Sequence, residues 1–497
     1  MRGQSQVRGR VVGTAGSLAV IAVALGCLAL LPVTRTAAAR PSWTVADSSP
    51  AVSLPATPTP TPTPTETPTP TLTPTVTPAP TATPLQQPVL VSETRLGLGT
   101  EPMVADSPYD PTLVAVVYQN VLWTKPICGH PAIGISRDRG VTWTQATAPW
   151  GDRCVDIHAA VAWGPGPTGE TSRLWAANGL WISAGMALSI TYSDDLGVSW
   201  STPYVQNFTK PWIGCVPIIA VDNSPLSPNF GVVYAAYNWL ATPLSTSMSV
   251  LATRDGRTWV HSEVAPVRLT GAPYSWTFGE RLALARDGSA YLSFYETDMR
   301  AWDVNDIFVQ NTPGNIQRAG FATARIHLSD GLTTDPAVWA LSLAPSDRPA
   351  FNPGLESGFD VSDDGDLWLA VNDRISAGGS IHVGSSKDGG GTWAWRGVGV
   401  SGADSFKPTI ATADGKIFLG WHTMDRRGVI RTYYAFSYDG GASFQTPRLV
   451  TNTTFYLPGD FNDVGLRENA EFGDGLVYYT WGDARNGSAV YVAVFKP

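Results

Sequence analysis

Charge is scarce in this chain. Asp, Glu, Lys and Arg make up 15% of its 497 residues, against about 25% in an ordinary globular protein. There is no Lys/Arg excess either, the formal net charge being −8. That excludes nucleic acid as a partner, because phosphates are held by clustered cations. Four Cys cannot supply a disulfide framework that carries the fold. Six His without metal-ligand spacing point to no metal and no other cofactor, although calcium on loop carboxylates stays open. What is present instead is 49 Gly, 40 Pro and 19 Trp. Many short strands joined by tight turns suit that mixture; helical bundles and zinc-finger arrays do not.

The first segment, 1–40, reads as an export signal or an uncleaved membrane anchor. Arg2, Arg8 and Arg10 precede a mostly apolar stretch over 11–33, and Ala37-Ala38-Ala39 offers a cleavage site. The stretch is long enough to span a bilayer. Cys27 is read as a small residue of that stretch, since Ala24 and the apolar residues after it make a poor lipoprotein box. Residues 41–87 read as a stalk: 55–84 alone hold 11 Pro and 13 Thr, largely as a Thr-Pro repeat. Pro fixes φ and lacks an amide donor, so polyproline II is expected there. The stalk favours an anchor over a cleaved signal. Everything globular then lies in 88–497.

Within 88–497 a short element repeats. Ser136-x-Asp138-x-Gly140-x-Thr142-Trp143 recurs from Ser193, Ser386 and Ser437, with a copy one residue shorter from Thr253 to Trp259. Such a box predicts a hairpin tip: Ser and Asp bond turn amides, Gly takes positive φ, and the aromatic tucks beneath. The Asp positions lie 57, 60, 133 and 51 residues apart, so one unit has lost its box, near Ser329-Asp330-Gly331. An apolar strand, a turn and an aromatic strand also recur, starting near Pro102, His158, Pro217, Arg281, Gly358, Pro408 and Val464. Seven units with room for four strands each predict an all-β chain, a β-propeller. Val89 to Arg95 would supply the strand that the last unit lacks. Six blades stay open, because two units show one strand pair and no box.

The boxes resemble the Asp-box (BNR) repeats of the sialidase superfamily, and the closing stretch from Gly459 to Phe495 is similar to the last repeat of bacterial sialidase-like surface proteins. The resemblance covers essentially all of 88–497. It implies a glycan partner and a sialidase-type glycosidase: three arginines on a substrate carboxylate, a Tyr nucleophile activated by Glu, and an Asp acid/base. One diagnostic element departs from that pattern, since Glu101-Pro102-Met103-Val104 stands where an Arg-Ile-Pro element is expected.

Blade geometry places the boxes on one face and the starts of the inner strands on the other. Just before those strands stand Glu101, Asp156, Lys210, Glu280, Glu356, Lys407 and Asp460. In a chain so short of charge, that recurrence marks a candidate binding rim. The ends of the second strands add Glu296, Asp298 and Arg300; Asp373 and Arg374; Asp425, Arg426 and Arg427; and Asp483 with Arg485. Trp421, His422 and Trp481 lie beside them as aromatic walls for a sugar. Blade-to-blade salt bridges and loop caps are the plainer reading of any one of these residues. Candidate catalytic groups are paired carboxylates among Glu101, Asp156, Glu280 and Asp460, or Tyr433 or Tyr478 as nucleophile. Arg300, Arg374, Arg426, Arg485, Lys210, Lys407, Trp421 and Trp481 are candidate substrate contacts, with Arg374, Arg426 and Arg485 as one possible carboxylate-binding triad. Cys128 and Cys154 are the favoured pair for a single disulfide. The expectation is thus an extracellular or surface-tethered monomer that binds, and as an enzyme hydrolyses, glycans. The alternative is a non-catalytic adhesion or protein-binding propeller.

Overall fold

The computed structural model describes residues 89–497 apart from 123–127, 152, 154, 170, 183–184, 207–216, 243–244, 268–272, 301–315, 344–356, 374–378, 401–402, 457–467 and 486–488. The segments expected over 1–40 and 41–87 lie outside the described residues, as do Cys27, Cys154 and Cys215. Among the described residues every regular element is a strand, and no helix is long and apolar enough to cross a membrane.

The strands form four-stranded antiparallel meanders in which first pairs with second, second with third and third with fourth. Their residues explain the order. Val114–Leu122 is a second strand, and its Val-Ala-Val-Val-Tyr run is buried on both faces, where β-branched side chains pack well. Thr144–Ala146, the fourth strand of the same meander, is short and largely exposed. Two pairs of meanders are joined by single bridges, Gly129 to Val155 and Ser245 to Ser275.

Among the described residues seven first strands form the centre: Thr100–Asp106, Val155–Pro165, Ile218–Val221, Tyr274–Leu284, Ser357–Val361, Asp404–Ala413 and Asn469–Gly473. Each packs against the next in chain order, and the last packs against the first. Together they line a central cavity of about 290 Å³. Four-stranded sheets set radially around a channel make a β-propeller. In the last meander the outer strand is Val89–Leu98, paired antiparallel with Ala489–Lys496 so that Val89 faces Lys496. This is the position that the sequence assigns to a strand from Val89.

The box turns have the bonding their sequence implies. In the four full copies the Gly N–H donates to the Ser Oγ, and the following Thr or Ser N–H donates to the Asp Oδ1, at 2.7–2.9 Å. The Trp143 and Trp393 indoles each donate to the box-glycine carbonyl at 3.1 Å. The glycines have a second reason to be glycine. Gly140, Gly197, Gly256, Gly390 and Gly441 all have positive φ. A Cβ on any of them would come closer than 3.0 Å to a side chain of the preceding meander: Val494, Ala146, Trp175, Thr323 and Trp368 respectively. Each box is therefore a wedge between neighbouring sheets. Ser329-Asp330-Gly331 is the turn after the third strand of the fourth meander, with Ser329 N–H bonded to the Gly331 carbonyl.

Candidate functional site

The face opposite the boxes is where the first strands begin, and four of them begin with a bulge. Strand register slips between Thr100 and Met103, Val155 and Ala159, Phe278 and Arg281, and Phe406 and Thr409. Inside these slips stand Glu101, Asp156, Glu280 and Lys407. The local sequence explains why pairing fails there. Pro102 and Pro408 have no N–H to give to a ladder, and Gly279 supplies the left-handed residue of the third bulge, with φ 67°. Glu101 and Lys407 adopt the same region without being glycine, at φ 59° and 51°, which costs each about 1–2 kcal/mol. Both side chains are almost wholly buried.

Three of the bulges meet, the first, second and third. The Glu101 carboxylate lies 3.7 Å from Nε2 of His158, a fully buried residue in the next bulge. Phe278, at the edge of the third, stands edge-on to the His158 ring at 6.4 Å. Charged residues are almost never buried so deeply unless paired, and here a carboxylate and an imidazole from different sheets share one apolar space. Arg281 follows the third bulge and lines the cavity.

Around this centre the ends of the second strands tie neighbouring sheets. The Asn238 amide donates to the Thr277 carbonyl and the Asn372 amide to the Ser405 carbonyl, both at 2.9 Å and both onto the next first strand. Gln119 and Asn178 lie within the second strands of the first two meanders; both are fully buried, and among the described residues their amides have no hydrogen-bond partner. On the far side Glu468 accepts from the Tyr479 hydroxyl at 2.7 Å and contacts Nε2 of His422, whose Nδ1 lies 3.1 Å from Thr432 Oγ1. Burial, and then the Glu468 charge, push the Tyr479 hydroxyl well up from its ordinary value.

Of the residues that sequence nominated, Glu101, Asp156, Glu280 and Lys407 share the bulge position. Lys210, Glu356, Arg374 and Asp460 lie outside the described residues. The second-strand ends differ from expectation, because they largely satisfy one another. Asp425 bonds Arg427 and Arg431 at 3.4 Å and caps its own turn through the Arg427 and Val429 N–H groups. Asp373 pairs with His382 at 3.1 Å. Arg485 lies between Asp483 and Glu93, with its guanidinium over Tyr491. Arg300 and Arg426 are exposed on turns of other meanders. Trp421 and Trp481 are fully buried and so are not funnel walls: their strand register turns them into sheet contacts, Trp421 stacking on Tyr433 at 6.0 Å. Tyr433 is thereby committed to packing, and Tyr478 is buried beneath Gly140. His158 and Glu468 were the residues missed. For His158 the signal was an imidazole ahead of the apolar run Ala159 to Trp163; Glu468, between Arg467 and Asn469 and just before its strand, carried none. Among the described residues no group of three His, Cys, Asp or Glu is placed to hold a metal ion.

No protein-family model matches this chain, and no curated protein matches it. Solved structures do. An α-L-arabinofuranosidase from Fusarium graminearum, in complex with an iminosugar inhibitor, is 14% identical over 68% of this chain and 92% of its own, with a TM-score of 0.43. An α-L-arabinanase from Penicillium chrysogenum, complexed with arabinobiose, is 14% identical over 70% and 95%, with a TM-score of 0.42. The intramolecular trans-sialidase from Ruminococcus gnavus is 11% identical over 72% and 94%, with a TM-score of 0.41. Values this low leave function to be derived from the residues themselves.

Proposed function

We propose that this chain is an exported, membrane-tethered propeller of seven blades, akin to the sialidase superfamily, that binds extracellular glycans where its inner strands begin. The observation that carries this reading is the set of four bulges. A chain poor in charge places Glu101, Asp156, Glu280 and Lys407 at one level of the ring, and accepts left-handed backbone at two of them. Strain of that kind persists where the surroundings enforce it and clusters at functional sites. Carboxylates accept hydrogen bonds from sugar hydroxyls and an ammonium donates three, so the chemistry fits a polyhydroxylated ligand. In this reading 1–40 exports and anchors the chain, 41–87 is the stalk, and 88–497 is a monomeric propeller. Hydrolysis would draw on two of the bulge carboxylates. The arginine-triad form of the chemistry has less behind it, since Arg485 is already ion-paired.

The test is a glycan array probed with the full chain, together with a panel of chromogenic glycosides that includes a sialic acid. Binding to one glycan class is expected, weakened by about tenfold or more in Glu101→Gln and in Lys407→Met, as expected for loss of a charge-assisted contact. Turnover of any glycoside makes the protein a hydrolase. No binding and no turnover, or binding indifferent to both substitutions, would replace this reading with a protein-binding adhesion propeller.

A further inference from the structure

Three residues from three different meanders meet on the bulge face: Glu101 of the first, His158 of the second and Phe278 of the fourth. The inner strand of the third meander packs between those of the second and fourth. His158 and Phe278 therefore reach each other only toward the axis of the ring. Their own strands agree with that placement, since Met103, Val161 and Arg281, a few residues further along, line the central cavity.

The two titratable groups are closed off from water, Glu101 being 2% exposed and His158 not at all. Nε2 of the imidazole lies 3.7 Å from the Glu101 carboxylate, and the Phe278 ring stands edge-on to it. The left-handed backbone at Glu101 has a use in this contact. A bulge re-aims a side chain, and here the carboxylate comes to face the ring of the next meander.

Other charged groups stand further along the neighbouring strands. Asp106 and Arg173 lie at the box ends of theirs, and Ile218–Val221 carries none. His130 is on the third strand of the first meander, and Tyr118, on the second, accepts from the Gln145 amide at 2.8 Å. Asp156 shares the strand of His158, and Glu280 and Arg281 share that of Phe278.

A carboxyl alone in an apolar space keeps its proton, because burial disfavours the charged form. An imidazole beside it changes that balance. It is the stronger base by about two pKa units in water, and once it holds the proton the two opposite charges stabilise each other. We propose that His158 is the positioning residue of the glycan site: as imidazolium it keeps Glu101 ionised and fixes where its carboxylate lies. This rests on reading the bulge face as that site. An ionised Glu101 accepts from sugar hydroxyls. In hydrolysis it is then the nucleophile or base, and the leaving group takes its proton from an acid on another bulge.

NMR of the imidazole groups of the full chain, followed against pH, tests the pair. Of the six His, His158 is the one whose ring signal contacts Phe278. Its midpoint is expected about one unit or more above the ordinary value of about 6.5, since a neighbouring carboxylate favours the imidazolium. Glu101→Gln should lower that midpoint by about one unit or more, and Glu101→Asp, which restores the charge, should leave it raised. A midpoint at or below about 6.5 in the unsubstituted protein, or one that a folded Glu101→Gln leaves unmoved, overturns the proposal. If the Gln variant does not fold, the unsubstituted protein decides alone. Glycan affinity supplies the second readout. It should fall as acid protonates Glu101, and in His158→Gln that fall should begin about one pH unit higher, a tenfold change in proton concentration. Weaker binding with the fall at an unchanged pH makes His158 scaffolding and overturns the positioning role. A raised midpoint that depends on Glu101, in a protein that binds no glycan, overturns the proposed function and with it the positioning role, while the ion pair stands. Glycan binding beside an imidazole indifferent to Glu101 overturns this proposal alone.

Discussion

The two faces of the ring join sheet to sheet in opposite ways. On the box face the solution is repeated and wet. Exposed Asp side chains take their donors from their own turn, the Thr392 N–H and then its hydroxyl holding Asp388 down to about 2, and a glycine wedges under the neighbouring sheet. On the bulge face the solution changes from unit to unit and is dry. Glu101, Lys407 and His158 are buried, and their partners come from other sheets or cannot be read from the repeat. A feature copied five times holds the architecture; one that differs at each copy is where we propose that a ligand is recognised.

Four substitutions would break or sharpen that contrast. The largest effect belongs to the box face. Gly441→Val puts a branched side chain at φ 77° against Trp368, and overpacking plus left-handed strain should cost about 3 kcal/mol. Chemical denaturation reads this, and glycan affinity of the folded fraction should not move. At the bulges the two readouts should part the other way. Glu101→Gly relieves φ 59° and should leave stability unchanged or raise it by about 1 kcal/mol while weakening glycan binding. If stability falls and binding holds, the bulge is scaffolding and the contrast collapses. The smallest effects separate two look-alike amides. Asn238→Ala removes the bond to the Thr277 carbonyl and should cost about 1–2 kcal/mol. Asn178→Leu, replacing an amide with no hydrogen-bond partner among the described residues, should shift stability by less than about 0.5 kcal/mol.

Much of the fold was legible because hairpins are local. A box and the apolar–turn–aromatic pair lie within a few residues of each other, and seven such pairs fix the order of the sheets. The site was legible only in part. Charge ahead of each first strand pointed to Glu101 and Lys407, but strand side chains alternate with a period of two, and a one-residue slip sends a residue to the other face. Bulges make such slips. Trp421 and Trp481 therefore read as walls and are packing. Glu101 with His158 joins residues of different meanders, and Arg485 with Glu93 joins the two ends of the last one, 392 residues apart in the chain; no spacing rule connects either pair.

The strand Val89–Leu98 carries a consequence for how the protein is made. It meets its partner, Ala489–Lys496, across the whole propeller sequence. At about 5–20 residues per second, it waits on the order of 20–80 s of synthesis before that partner exists. Throughout that time it is a bare edge, the kind of surface that recruits strands from other molecules. Its own sequence limits the hazard, since Glu93 and Arg95 stand in the middle of the strand and bring charges that discourage such pairing.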